Sequence, residues 1–441
     1  MGVVCAPAPT GRSDCGVERI EVAMQQTPLS AAPTLSTDIV AIGAGAAGLI
    51  AGIALARTGH QVTLVGKKPP PLPGRTVALF DGSLKLLDEF GLKSALEPIS
   101  APIRAMRIID DTGSPFRTPP NFYEAEEIGL DVFGVNVTND AIVQALDAIA
   151  ENTPGLRRVE ALAVGYDFRA DGVTVTLDDG RSLEAKLVVA GDGRNSGARK
   201  AADIAVAEWS YPQVAITLAL RHRRPHHDVT TEYHTRTGPF TFVPMPPATD
   251  GAHRSSLVWL VRPQQAKELL ALPHARLAEK IAEQARHRFG AVTIEGAIGS
   301  FPMAGMRTKT VTAPRLMLVG EACHVFPPLA AQGLNLGIRD SADAAHALEG
   351  IDISDDAQLA AALTQFEASR RADIDLRTQA VDVLNRSLIS NLPPVDFLRA
   401  FGMAAVAAIG PLRRAVLREG VSPSLSRALG SLTRLTPIAR R

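Results

Sequence analysis

A run of six small residues, GAGAAG at 43–48, constrains this chain more than any other feature in it. It follows directly on a short apolar, β-branched stretch, TDIVAI at 37–42. A helical stretch over 49–58 comes next, stopped by Gly59, and QVTLV at 61–65 reads as a second strand. Strand, tight glycine turn, helix and strand form the opening of a dinucleotide-binding βαβ unit. Gly43 permits the sharp turn, Gly45 lets backbone approach a pyrophosphate, and Gly48 lets the helix pack on the strand, with Ala47 keeping the turn small between them. The helix N-terminus offers unpaired N–H groups and a partial positive charge to phosphates. The bland alternative is a Gly/Ala-rich helix start without a ligand, and the flanking strand and helix argue against it. One element of the fingerprint is absent. Where the second strand ends and a ribose-binding Asp or Glu is expected, the chain has Gly66, Lys67 and Lys68. The ribose must therefore be held by backbone, water or another segment, which disfavours a simple nicotinamide dehydrogenase.

The chain has 441 residues, enough for two to three domains. Its 46 basic and 46 acidic residues cancel, removing the basic footprint of a nucleic-acid binder. Three cysteines, Cys5, Cys15 and Cys323, cannot make a disulfide framework, and a reducing, cytoplasmic setting is expected. No apolar run reaches the ~18 residues of a spanning helix. The longest, 400–412, is broken by Gly402, Gly410 and Pro411. Residues 1–36 carry no apolar signal core and read as a disordered extension, with Met24 an alternative start.

Further along, residues 83–90 and 138–150 read as amphipathic helices, and 103–109, 173–177 and 187–190 as strands. Asp171-Gly172 and Asp179-Gly180 are hairpin turns. The strand at 187–190 runs into GDGRNSGAR at 191–199, a tight turn that aims Asp192 or its neighbouring backbone at a ligand. Residues 205–300 are a strand-rich block ending in a helix over 275–289. His222, His226, His227 and His234 match no zinc spacing and are expected in a solvated loop, so no metal is expected. A third strand, 315–319, runs into GEACHVFPPLAAQGLNLGIRD at 320–340 and a helix to about 348. Two helix N-termini, distant in sequence, are thus expected to converge on one large ligand.

Together 43–48, 191–199 and 320–340 resemble the three signatures of single-component flavoprotein aromatic hydroxylases. The third follows G-D-x-x-H-x-x-x-P-x-x-G-Q-G-x-N-x-G-x-x-D, except that Glu321 replaces Asp and Ala331 replaces Gly. Glu321 keeps the carboxylate with one more methylene, and Ala331 stays small but restricts positive φ. Within that class the chain is similar to the ubiquinone-biosynthesis ring hydroxylases. The supporting segments are EIG at 127–129, FGVN at 133–136, WSYPQ at 209–213, GPF at 238–240, Val243-Pro244, Val258-Trp259, RRAD at 370–373 and LNRSL at 384–388. The likeness runs from about residue 37 to 420.

The resemblance implies an α/β fold: an FAD-binding Rossmann-like domain of the p-hydroxybenzoate hydroxylase type, interleaved with a β-sheet substrate domain and followed by C-terminal helices. The FAD domain would comprise 37–102, 137–200 and 301–350, the substrate domain 103–136 and 201–300, and the C-terminal part 351–441. It also implies that FAD is held by Gly43, Gly45, Ala47, Gly48, Arg75, Asp192, Gly320 and Glu321 and by the turn at Ala331, Gln332, Gly333, Leu334 and Asn335. Pro328 would line the flavin face where oxygen adds at C4a, and the resulting hydroperoxide would hydroxylate a polyprenylated phenol. His324 is a candidate base, with a structural role beside the cofactor as the alternative. NAD(P)H or an electron-transfer protein would supply electrons, since no second dinucleotide fold is visible. Two other readings stand beside this one: an FAD-dependent reductase or epoxidase of an isoprenoid lipid, as in geranylgeranyl reductases, and a non-catalytic FAD-stabilised subunit of a biosynthetic complex.

From 397 to 441 there are eight arginines and one acid, Glu419, with Phe397, Leu398, Phe401 and Ile409 ahead of most of the charge. Such a tail suits peripheral contact with an anionic membrane surface such as the inner membrane. Packing on the core with solvated arginines is the alternative. Contacts with other ubiquinone-biosynthesis proteins are a further expectation, and nucleic acid is not.

Overall fold

The computed structural model describes residues 34–70, 74–116, 118–329, 331–390 and 392–423. Its first unit is a six-stranded sheet in which Leu316–Leu318, Leu187–Ala190, Ile39–Ile42, Val62–Val65 and Leu156–Val159 run parallel in that order, with Thr312–Ala313 antiparallel at the edge. Every residue of Ile39–Ile42, Val62–Val65 and Leu187–Ala190 is buried. These strands read as unbroken apolar runs because a parallel sheet is covered on both faces. Helices Ala46–Arg57, Asn139–Glu151 and Gln332–Leu348 share its core with a four-stranded sheet built from Thr34–Ser36, Ser182–Ala185, Val173–Leu177 and Ala163–Phe168.

The second unit is an eight-stranded sheet in the order His324–Val325, Val292–Thr308, Val206–His222, His253–Val261, Gly238–Met245, Val229–Thr235, Ala105–Asp110 and Asn121–Glu124. One face packs on helices Pro263–Leu270 and His274–Gln284 through Ile216, Leu218, Leu220, Phe240 and Phe242. Side chains alternate along a strand, so the residues between these face the other way, toward the first unit. A three-stranded sheet, Thr76–Phe80, Gly134–Thr138 and Ser100–Ile103, joins the two units. Asn136 Nδ2 donates to Pro244 O at 2.7 Å, and the Thr76 and Ser256 hydroxyls meet at 2.7 Å. Helix Asp356–Ile389 runs 34 residues, followed by Pro393–Ala408 and Gly410–Val421.

Several expectations need correction. Residues 34–36 are not part of a disordered extension: they pair in parallel with Ser182, Leu183 and Glu184. Residues 1–33, including Met24, lie outside the described residues. The strand Val292–Thr308 continues across residue 300, where a domain boundary was expected, because it pairs with the equally long Val206–His222. The histidines are not in one solvated loop. His222 and His234 sit within strands and are buried, and only His227 is fully exposed. Burial pushes the His222 pKa down to about 4, with Arg224 O and Ser255 Oγ bonded to its ring at 2.7 and 3.0 Å. No single described helix is long and apolar enough to cross a membrane; one pair, Pro393–Ala408 and Gly410–Val421, is long and apolar enough only when taken together, and it is bent by 102°.

Candidate active site

The first glycine turn is built by close backbone contact. Gly43 has φ +114°, and a Cβ there would lie 2.3 Å from Gly191 O. A Cβ on Gly48 would lie 2.1 Å from Gly43 O, so only glycine lets this helix start so close to its strand. Gly45 is different: a Cβ there meets nothing within 4 Å. Gly45 is also the N-cap of Ala46–Arg57, and no side chain caps that helix. Its first N–H groups are left for something in the cavity. The missing ribose acid at Gly66 has a steric cause. A Cβ there would lie 2.5 Å from Ala44 N, so no side chain fits. Lys67, next to it, pairs with Asp178 at 2.5 Å.

The second turn meets the first. A Cβ on Gly320 would lie 2.8 Å from the Ala47 Cβ, and Ser341 Oγ donates to Ala47 O at 3.2 Å. Helix Gln332–Leu348 starts from Ala331, which adopts φ 49°, ψ 36°. The left-handed conformation that glycine would take for free is thus retained by an alanine, at a cost of about 1–2 kcal/mol. This helix also lacks a side-chain cap, and the Cβ position of Gly333 is open. Asn335 does not line the cavity. Its Oδ1 accepts from Phe80 N at 3.0 Å, and its Nδ2 donates to Ala78 O at 2.7 Å and Ala331 O at 2.6 Å. It ties the strand after Arg75 to the left-handed turn and is a positioning residue.

Beneath this turn lies a buried charge network. Asp340 Oδ2 accepts from Gly320 N at 2.9 Å and bonds His324 Nε2 at 2.6 Å, while Oδ1 accepts from Arg370 Nε at 2.7 Å. Arg370 also reaches Asp343 at 3.0 Å and Asp373 at 2.9 Å. Burial alone would raise the Asp340 pKa, but the charges of His324 and Arg370 outweigh it and hold the carboxyl below its usual range. Cys323 Sγ, His324 and Asp340 offer ligand atoms within 4.8 Å of one another. Burial keeps the Cys323 thiol protonated, and Asp340 is already shared by two cationic or donor groups, so the trio serves as an ion-pair cluster.

One cavity, about 360 Å³, lies between the two turns and the eight-stranded sheet. Gly45, Ala47 and Arg75 line it from the first unit, and Gly320, Glu321, His324 and Pro328 from the third motif. Ala331, Gln332, Gly333 and Leu334 close the same wall. The Arg75 guanidinium sits 5.3 Å from the Phe301 ring centroid. Glu321 is exposed and has no protein partner among the described residues. Gly43 and Gly48 lie behind the wall. Asp192 does not line the cavity either; Gly191 and Gly193 do. Its Oδ2 accepts from Gly197 N at 2.8 Å and Ala198 N at 3.3 Å, capping a helix turn, while its Oδ1 is buried without a partner. The sheet contributes residues that were not assigned to the site from the sequence: Thr217, Thr230, Glu232, Thr241 and Val258. Thr230 and Glu232 alternate within VTTEYHT, and alternation does not say which face meets a ligand.

This arrangement fits a dinucleotide. Two uncapped helix N-termini face one cavity, and the Cβ positions of Gly45 and Gly333, both in its lining, meet no protein atom. A sequence profile described as an FAD binding domain matches residues 36–372. The chain belongs to the FAD-dependent monooxygenases. It is 33% identical over 404 residues to the ubiquinone hydroxylase UbiL of Rhodospirillum rubrum, covering 89% of this chain and 91% of that one. The 3-demethoxyubiquinol 3-hydroxylase of Escherichia coli is 29% identical over 392 residues, covering 87% and 97%. The fold is that of p-nitrophenol 4-monooxygenase PnpA from Pseudomonas putida, at a TM-score of 0.71 and 17% identity over 88% of this chain and 98% of that one. The monooxygenase therefore has the interleaved α/β architecture that its three motifs implied.

Proposed function

We propose that this monooxygenase hydroxylates the aromatic ring of a polyprenylated phenol in ubiquinone biosynthesis, using FAD and O2. The observation that carries this reading is a single cavity with two characters. Glycine turns and helix N-termini line one side, and the sheet side carries Ile103, Met106, Val243, Val258 and Phe301 around the polar Thr217, Thr230, Glu232 and Thr241. The relatives named for ubiquinone hydroxylation span nearly the whole chain, which supports the same substrate class.

When bound, FAD supplies the oxygen chemistry; the protein supplies placement and a dry pocket. The turn at Gly43–Gly45 and the N-terminus of Ala46–Arg57 would hold the pyrophosphate. Glu321 would accept hydrogen bonds from cofactor hydroxyls. The N–H groups at Gln332 and Gly333 would favour negative charge on the cofactor without reorganisation. Arg75, over the Phe301 ring, would add positive charge. Pro328 would give the cavity a rigid apolar wall. Asp340 anchors His324 as part of that wall, and His324 needs no proton transfer to serve there. The reductant, NAD(P)H or an electron-transfer protein, docks transiently.

The C-terminal helices give the reading a membrane side. Leu392, Phe397, Leu398 and Phe401 are each more than half exposed. Arg414 and Arg418 are exposed as well. Two of the eight arginines are spent internally: Arg399 is buried against Ser387 O and Asp396, and Arg413 bonds Glu127. Arg427, Arg434, Arg440 and Arg441 lie outside the described residues. Peripheral contact through Phe397 and Phe401 predicts that replacing both with serine weakens sedimentation with anionic vesicles; unchanged sedimentation would remove this contact from the reading.

The deciding experiment is anaerobic reduction of the flavin-loaded protein, followed by O2 and a polyprenyl phenol. Stoichiometric hydroxylated product is expected. Oxygen-independent reduction of an isoprenoid double bond, or epoxide in place of phenolic product, would replace the hydroxylase reading. Bound flavin without turnover of any of these would favour a scaffold subunit.

A further inference from the structure

The floor of the cavity is the part that neither the glycine turns nor the cofactor explains. Adjacent strands of the eight-stranded sheet place Glu232 opposite Thr241 and Thr241 opposite Val258, and all three line the cavity. Thr230, two residues before Glu232, faces the cavity from the same strand, and its hydroxyl is buried without a partner. Glu232 Oε1 bonds His234 Nε2 at 2.8 Å, and Oε2 accepts from the Thr241 hydroxyl at 3.1 Å. A carboxylate oxygen accepts more than one hydrogen bond, so both keep free lone pairs. The Glu232 side chain is 23% exposed, whereas His234 behind it is 7% exposed. Burial would raise the Glu232 pKa, but the hydrogen bond and charge of His234, with Thr241, lower it below the usual range. A carboxylate acceptor and an unsatisfied hydroxyl thus face a chamber whose walls include Met106, Val243 and Val258. Leaving the Thr230 hydroxyl without a partner is unfavourable, and a ligand that carries oxygen on an apolar ring would satisfy it while donating to a spare lone pair of Glu232.

The geometry points to Glu232 as the residue that binds the substrate's ring hydroxyl, accepting its O–H hydrogen bond, with Thr230 placed for a second oxygen on the same ring; this rests on the phenol-hydroxylase reading above. His234 and Thr241 are positioning residues that fix the carboxylate's direction. The proton stays within the hydrogen bond, and no bond forms or breaks at Glu232. The anionic acceptor pushes electron density from the O–H into the ring, which makes the ring carbons ortho and para to it better nucleophiles. A Glu232 in this place also selects a free phenol over its methyl ether, which has no hydrogen to donate.

The test compares 2-geranylphenol with its methyl ether, 2-geranylanisole, on the flavin-loaded protein, reading affinity from the perturbed flavin absorbance and turnover from product. The wild type should prefer the phenol by about 10- to 100-fold, the effect of one hydrogen bond to a charged group. Glu232→Ala should erase that preference, chiefly by lowering the phenol's affinity. Glu232→Gln keeps a neutral acceptor in the same shape and should fall between. A Glu232→Ala protein that keeps both its flavin and its preference overturns the assignment. Should that variant lose its flavin, Glu232→Gln decides, and an undiminished preference there overturns it equally. Wild-type protein that hydroxylates no phenol at all would instead overturn the functional reading, a result distinct from an unaltered Glu232 variant on an active enzyme.

Discussion

The two ends of the cavity are built from different materials. The cofactor end is backbone: Gly43, Gly45, Gly48, Gly320 and Gly333 matter for the side chains they lack, and the helix N-termini at Ala46 and Gln332 carry no side-chain cap. The sheet end, the proposed substrate end, is side chain: Thr230, Glu232, Thr241 and Val258 project from strands whose backbone is ordinary. A phosphate or a reduced flavin is the same in every enzyme that uses it, so one backbone cradle serves. A substrate ring differs between enzymes, and side chains on a rigid sheet can change without disturbing the fold.

The largest expected effect is at the backbone end. Gly48→Val drives a side chain into Gly43 O and should cost about 3 kcal/mol or more, with loss of bound flavin. Gly45→Ala sharpens the contrast. Its Cβ meets no protein atom, so the melting temperature of the flavin-free protein should hold while flavin affinity falls. Equal losses of stability at both positions would break the distinction between a packing glycine and a ligand-facing one.

Next is the support under the second turn. Asp340→Asn leaves Arg370 buried with one counter-charge fewer and should destabilise by about 3–5 kcal/mol, measured by chemical denaturation. Because the folded-state pKa of Asp340 lies below its unfolded value near 3.9, its contribution is present above about pH 4 and is lost as pH falls further. The wild type should therefore lose stability below about pH 4 more steeply than Asp340→Asn; matching slopes would show that this carboxylate does not carry the acid sensitivity.

At the substrate end, effects on stability should be small and effects on KM visible. Thr230→Val removes a hydroxyl that has no protein partner, so stability should change by no more than about 0.5–1 kcal/mol, while KM for the phenol rises. A marked loss of stability would mean that this hydroxyl is structural. Smallest of all, Ala331→Gly relieves a left-handed alanine but loosens the unfolded chain, for a net gain under about 1 kcal/mol in thermal unfolding.

The same division explains what could be read in advance. The strands at 173–177 and 187–190 and the helix end at 348 were legible because apolar period and turn chemistry are local. Asn335 and Asp192 were legible as motif members but not in their roles. Their partners, Phe80 and Ala78 for the first and Gly197 and Ala198 for the second, are set by how distant or looping segments return. The softer segments at 209–213 and 384–388 gave no hint of each other. In the fold, Asn385 Nδ2 donates to Gln213 Oε1 at 2.9 Å, and Tyr211 OH bonds Asp382 at 2.7 Å. Glu232 went unread because one carboxylate in an alternating strand looks the same whether it faces solvent or a ligand.

By itself, then, the sequence determined the cofactor class and the outline of the fold, since glycines at fixed spacing mark where a tight turn or a close backbone approach leaves no room for a side chain. Tertiary structure alone decided which side chains form the cavity floor, why no acid stands at Gly66, and that Arg370 lies beneath the turn at Gly320. Those facts depend on distances between segments tens to hundreds of residues apart, and such distances are set by packing and strand register, which no local pattern encodes.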